Sequence, residues 1–298
     1  MTAESSELLP ALLVEAFASG PLQGNGAAVV RLQQPASTAW MQALATSLRQ
    51  SETAFLWQRA REDWALRWFT PSCEVPLCGH ATLAATLALG HWGLLQPGQN
   101  QILATRSGPL RVALSAEQPG TASLVLPSGP LEPLESPTYL CDLLGTAPLA
   151  YWGSRLGYRV GLLAPDHDLA GMASPAAQLQ GADRQGLVLM QALSPWGPQL
   201  HGQSCDYQLR FFAPGLGIEE DPVTGSAHAL VAPWWMQRIG RLQVRGWQCS
   251  PRRGGMLCEL LQAGWVRLSG TGHRLWDGQL QAGPSGLDPA SWEPCCSV

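Results

Sequence analysis

Two short stretches constrain this 298-residue chain more than anything else in it: LRWFTP at Leu66–Pro71 and LRFFAP at Leu209–Pro214. Each reads as an aromatic-rich strand ended by proline, which has no N–H to continue a ladder. Each is followed by a short acidic loop that closes on glycine, SCEVPLCG in the first case and GLGIEEDPVTG in the second. Each loop then opens into an apolar helix of small residues. The first is HATLAATLAL from His80, with Gly90 as its expected C′ residue; the second is SAHALVAPWWMQRIG, Ser226 to Gly240. The same order in both halves predicts a duplication. The expected fold is α+β, with two pseudo-symmetric lobes, each a barrel-like sheet around a central buried helix. The lobes are expected at 1–128 and 129–298, the C-terminal end returning to the first lobe.

The intervening chain agrees with this. Leu12–Phe17 and Ala27–Leu32 read as strands around ASGPLQGNG, Ser37–Leu48 as an amphipathic helix capped by Ser37 or Thr38, and Thr53–Gln58 as a strand. Strands are expected near Gln101–Thr105, Leu110–Leu114 and Ala122–Leu126. The segment PSGPLEPLESP, Pro127–Pro137, holds four prolines and is expected to be a linker. Arg159–Leu163, Gly186–Met190 and Gln208–Phe212 read as further strands, and Gln243–Leu280 as hairpins with glycine-rich turns.

Composition removes several functions. Charged residues are 13% of the chain, the net charge is −4, and there is no basic run, so nucleic acid is not an expected partner. There is no lysine; all 18 basic residues are arginine. That excludes a Schiff-base lysine and a P-loop. No GxGxxG follows a strand, and no GxSxG elbow is present. The start, MTAESSELLP, lacks a basic n-region, and no apolar run reaches the roughly 18 residues of a membrane span. A cytoplasmic protein with reduced thiols is expected, without membrane contact. Cys295 and Cys296 are read as idle tail residues.

A helix that shows no polar face must be buried, so the polar residues at its start need a reason. A helix N-terminus offers unpaired N–H groups and the positive end of the macrodipole. Two such mouths are built to hold an anion such as a carboxylate or an enolate-like transition state. His80 stands at the first mouth, where it is either a site residue or a capping histidine. Asp221, four residues before Gly225 at the second, is either a site residue or an Asx-turn residue before Pro222. Glu52, in QSETAFLW, precedes an apolar run. It is either a turn carboxylate at the surface or a partly buried one suited to proton transfer. Cys73, Cys78 and His80 offer three metal ligands without a fourth at a familiar spacing, so no metal is expected. Asp166-His167-Asp168 reads as a solvated loop, and Arg252-Arg253-Gly254-Gly255 either as an anion contact or as a turn between strands.

At these residues the sequence resembles the PhzF family, phenazine biosynthesis-like domain proteins. The matching stretches are FASGPLQGNGAAV, RQSETAF, LRWFTPSCEVPLCGHATLA, RFFAPGLGIEEDPVTGSAHA and QCSPRRGGML, between about Val14 and Leu280. The resemblance implies a diaminopimelate epimerase-like fold with the site between the lobes. It also implies an isomerase that moves a proton between carbons of a small carboxylate-bearing substrate, without cofactor. The family's catalytic glutamate falls on Glu52, its histidine on His80 and its aspartate on Asp221. Asn25, Gly79, Gly225 and Ser226 fall on substrate-binding positions, and a homodimer is implied. The sequence departs from the family at Gly26, where proline is usual after Asn25, at Gln50, and at Arg252, which looks inserted. Two alternatives stay open. One is an amino-acid racemase or epimerase using Cys78, although the second mouth, EEDPVTGS, holds no cysteine. The other is a binding protein for small carboxylates without enzymatic activity.

Overall fold

The computed structural model describes residues 8–293 except 263 and 282, so Cys295 and Cys296 lie outside the described residues. The chain forms two compact units. One ends at Ala16, resumes over Asn25–Val125 and takes up the chain again from Gly270; the other comprises Phe17–Gly24 and Leu126–Ser269. Expected boundaries at 128/129 thus differ from this division by a few residues at the middle. The segment Phe17–Gly24 also joins the second unit, through Gly255 N–H to Phe17 O at 3.0 Å and Gly24 N–H to Arg253 O at 2.9 Å. No described helix is long and apolar enough to cross a membrane.

In the first unit, Leu9–Ala16 pairs antiparallel with Asn25–Leu32, which runs parallel to Glu52–Ala60. The crossover between the parallel strands is α1, Thr38–Leu48, with Ser37 as its N-cap. Glu52–Ala60 pairs antiparallel with Asp63–Phe69, which runs parallel to Asn100–Thr105; Gly108–Leu114 and the strand from Thr121 continue antiparallel. The far edge of Leu9–Ala16 pairs with residues 272–280, and Gly272 N–H donates to Gly120 O at 3.0 Å, drawing the sheet into a barrel. The crossover from Asp63–Phe69 to Asn100–Thr105 is α2, Gly79–His91, which fills that barrel: ten of its 13 residues are buried. Its side chains are small because a barrel of this size leaves little room round a helix axis.

The second unit repeats the plan. Glu132–Leu134 pairs with Ala150–Gly153, then Arg159–Leu162, which is parallel to Leu187–Ala192. Tyr207–Ala213 follows antiparallel and is parallel to Gln243–Gln248, with Gly254–Gln262 and residues 265–269 beyond. After the short helix α3, Thr138–Leu144, the crossover between the parallel pair 207–213 and 243–248 is the buried α4, Gly225–Ile239. The duplication reaches single side chains. Arg67 pairs with Glu74 at 2.8 Å and Arg210 with Glu220 at 2.6 Å, each arginine 4% exposed or less and each lying over a phenylalanine of its own strand, Phe69 and Phe212.

Two expectations need correction. Helix α2 does not stop at Gly90 but runs to His91, and the left-handed residue is Gly93, φ +70°. A Cβ at Gly90 would meet the tip of Leu114, Cδ1 at 2.5 Å, so that side chain would have to shift. The proline-rich 127–137 segment is not a bare linker: Glu132–Leu134 is an edge strand, where prolines do least harm.

Candidate active site

The first cluster is built by three element starts in the first unit. Asn25 opens a strand, Glu52 opens the parallel strand beside it, and Gly79 and His80 open α2. The parallel register sets Ala27 against Glu52, which brings Asn25 and Glu52 to the same end of the sheet. There His80 Nε2 lies 2.8 Å from Glu52 Oε2, Asn25 Nδ2 lies 3.1 Å from His80 Nδ1, and Cys78 Sγ lies 3.4 Å from the same nitrogen. Asn25, Glu52, Cys78 and His80 are all buried. Cys78, at the N-cap position, makes no side-chain cap to the first-turn N–H groups of α2. Glu52 is therefore the partly buried carboxylate of the two readings, and His80 is a partner of Glu52 rather than a capping residue.

The ring of His80 is held protonated well above its ordinary range. Burial works against the charge, while Cys78 and Glu52 oppose it and prevail. The Cys78 thiol is itself pushed up to about 11, first by burial and then by the Glu52 carboxylate, with His80 pulling the other way. Near neutral pH it is a thiol, so Glu52 is the anion that matters to the imidazole.

Glu52, Cys78 and His80 place three ligand atoms within 4.8 Å of one another. Two ligands on a tetrahedral zinc stand about 3.4 Å apart, from bond lengths near 2.1 Å. The Glu52–His80 spacing is that of a charge-assisted hydrogen bond instead. Cys73 is exposed and does not join them.

The second cluster lies in the second unit. Asp221 ends a short strand, and its Oδ2 accepts from Thr224 Oγ1 at 2.5 Å. Gln248, fully buried, donates from Nε2 to Asp221 O at 2.5 Å and accepts from Thr224 N–H at 2.7 Å. Thr224 holds the Asp221 side chain and the buried Gln248 amide holds its carbonyl, just before the mouth of α4. That mouth is Gly225 and Ser226, with Ser226 Oγ 3.2 Å from Tyr158 OH and no side-chain cap from Thr224. Thr224, Gln248 and Tyr158 were missed by sequence reasoning. Only the TG of DPVTGS hinted at Thr224, and nothing local marks a glutamine in a strand 24 residues on.

Elsewhere, Asp166 and Asp168 are exposed as expected. Arg252-Arg253 forms a turn whose Arg252 Nε donates to Gly24 O at 3.1 Å. Gly254 is required there, because a Cβ would sit 2.1 Å from Phe17 O.

The architecture is an α+β, epimerase-like fold: two similar lobes, each a barrel-like sheet round a helix with a polar mouth. Within that fold, this chain belongs to the phenazine biosynthesis-like PhzC-PhzF family, whose sequence model matches residues 14–144 and 163–278. It is 39% identical over 249 residues to an uncharacterized isomerase of Pseudomonas aeruginosa, spanning 83% of this chain and 89% of that one. It is 32% identical to the human phenazine biosynthesis-like domain-containing protein, over 92% of this chain and 99% of that one. A PhzF-family phenazine biosynthesis protein from Enterococcus faecalis, known from its crystal structure, superposes with a TM-score of 0.79 at 30% identity, covering 92% of this chain and 99% of that one. These relationships support an isomerase function.

Proposed function

We propose that this chain is a cofactor-independent isomerase that moves a proton between carbons of a small carboxylate-bearing substrate. The observation that carries the reading is the buried Glu52–His80 pair at 2.8 Å. Glu52 accepts the carbon-bound proton and returns it at another carbon, so no net charge or electron is lost from the substrate. His80, protonated beside it, stabilises the carboxylate and follows its charge as the proton moves. The first-turn N–H groups at the mouths of α2 and α4, at Gly79, Gly225 and Ser226, are suited to a substrate carboxylate and to the negative charge that grows on deprotonation. Asp221, held by Thr224, is assigned a second proton-transfer role.

The test is deuterium uptake. A panel of small unsaturated and amino carboxylic acids is incubated in D2O, and carbon-bound deuterium is read by mass spectrometry. Uptake by the wild type and none by Glu52→Gln supports the reading. Equal uptake by both removes Glu52. A racemase reading is favoured by one result in particular, loss of uptake in Cys78→Ala with uptake retained in Glu52→Gln. Stabilisation of both proteins by a small carboxylate, with turnover in neither, points to a binding protein.

A further inference from the structure

A cavity of about 580 Å³ in the second unit lies at the end of α4 away from its mouth, among Trp235, Arg238, Ser194, Cys205, Asp206, Arg241 and Arg245. None of these residues belongs to the Glu52–His80 cluster or to the mouth at Gly225. The chain carries a net charge of −4, yet three of its 18 arginines meet here against one carboxylate. That carboxylate is engaged with the walls: Asp206 accepts from Arg245 N–H at 2.7 Å and from Arg241 Nη1 at 3.2 Å. Arg238 rests over the Trp234 ring at 5.3 Å. Among the described residues no carboxylate pairs with the side chain of Arg238 or Arg245. Two guanidinium groups without a carboxylate partner thus line one cavity, and together they set a positive local field.

A second observation is independent of charge. Trp235 is 2% exposed, and its indole Nε1–H, a donor only, has no hydrogen-bond partner among the described residues. Buried donors are rarely left unmade, and Trp235 is one of the residues that line this cavity. In the last turn of α4, Met236 O already takes Gly240 N–H and Arg241 N–H.

We propose that this cavity is a binding site for a phosphoryl dianion, held by Arg238 and Arg245 with Trp235 Nε1–H as a further donor. Arginine forks match phosphoryl oxygens in pairs, and a dianion matches the two open charges. The chemistry is shared by free phosphate and by a phosphorylated small molecule.

Isothermal titration of the full chain at fixed ionic strength, with inorganic phosphate and separately with AMP, tests this. Saturable binding is expected, weakened about tenfold or more in Arg238→Gln/Arg245→Gln and several-fold in Trp235→Phe. Arg111→Gln, an exposed arginine outside the cavity, is expected to leave it unchanged. Tighter binding of AMP than of phosphate assigns the site to phosphorylated molecules; equal binding assigns it to free phosphate. Melting without ligand checks that the double variant folds, and Arg238→Gln alone, at an exposed position, serves if it does not. No saturable binding of either ligand, or undiminished binding in the arginine variants, overturns the proposal.

Discussion

Glu52 Oε2 and His80 Nε2 lie 2.8 Å apart in the interior of the first unit, one at the start of a strand and the other at the start of a buried helix. A carboxylate and an imidazole at that distance form a close charge pair between two defined atoms. Glu52→Gln keeps the shape and removes the base. Its kcat on any substrate found by deuterium uptake is expected to fall about 100- to 10,000-fold. Loss of KM alone, with kcat intact, would instead make Glu52 a binding residue.

Asn25 is expected to act on His80 rather than on substrate. Its amide faces His80 Nδ1 at 3.1 Å, and it is fully buried. With the ring neutral, Nδ2 donates to Nδ1; with the ring protonated, a flip of the amide presents Oδ1 to Nδ1–H. Asn25→Asp adds a second anion and should raise the His80 titration further; Asn25→Ala should lower it and cut kcat with little change in KM. Carbon-detected NMR of the His80 ring, read beside the kinetics, checks both directions. An unchanged titration in both variants would reduce Asn25 to a packing residue.

Two buried histidines pull the pH dependence of stability in opposite directions. His80 has its folded pKa raised above 6.5, so its contribution is fully present below pH 6.5 and is lost as pH rises through the folded value. His228, in α4, is pushed down to about 3 by burial, and its Nδ1 lies 2.8 Å from Tyr207 OH. The unfolded chain then binds the proton first. Stability falls as pH drops from 6.5 towards 3, by about 1.4 kcal/mol per unit at most. Urea melts between pH 4 and 7 should therefore show a steeper acid-side loss in the wild type than in His228→Leu. Parallel pH profiles would show that His228 is not the group responsible.

The two arginine–glutamate pairs should behave alike because they are the same device used twice. Arg67 donates to both oxygens of Glu74, to Thr38 Oγ1 and to Ser291 Oγ. Arg210 donates to both oxygens of Glu220 and to the carbonyls of Leu169 and Met172. Removing one partner leaves a buried charge uncompensated, so Glu220→Gln and Glu74→Gln are each expected to cost about 3–5 kcal/mol. The second should cost less, since Glu74 is more exposed and is shared with the exposed Arg106. Denaturant melts measure this, and a loss under 1 kcal/mol at Glu220 would mean that the carbonyls alone hold Arg210.

How far the sequence could be read depended on the range of the interaction. Helix α2 was legible as buried from Ala81–Leu89 alone, because nine residues of alanine, leucine and threonine leave no face for water. The repeat of strand, acidic loop and helix was legible for the same local reason, and it predicted two lobes. Glu52, His80 and Asp221 could be singled out as residue types at element starts. Local propensity ended there. It placed a helix end at Gly90, where the helix in fact runs on to His91. It also read a linker where Glu132–Leu134 finds a strand partner in Ala150–Gly153.

Tertiary structure alone decided which polar groups meet. Asn25 reaches His80 across 55 residues of chain, and Arg67 reaches Ser291 across 224. No periodicity encodes such pairs, because they arise from sheet register and from closure of the barrel by residues 272–280. The charge on His80 was likewise outside the sequence's reach. It is the balance of burial against the Glu52 carboxylate and Cys78, and each of those is a property of the folded interior.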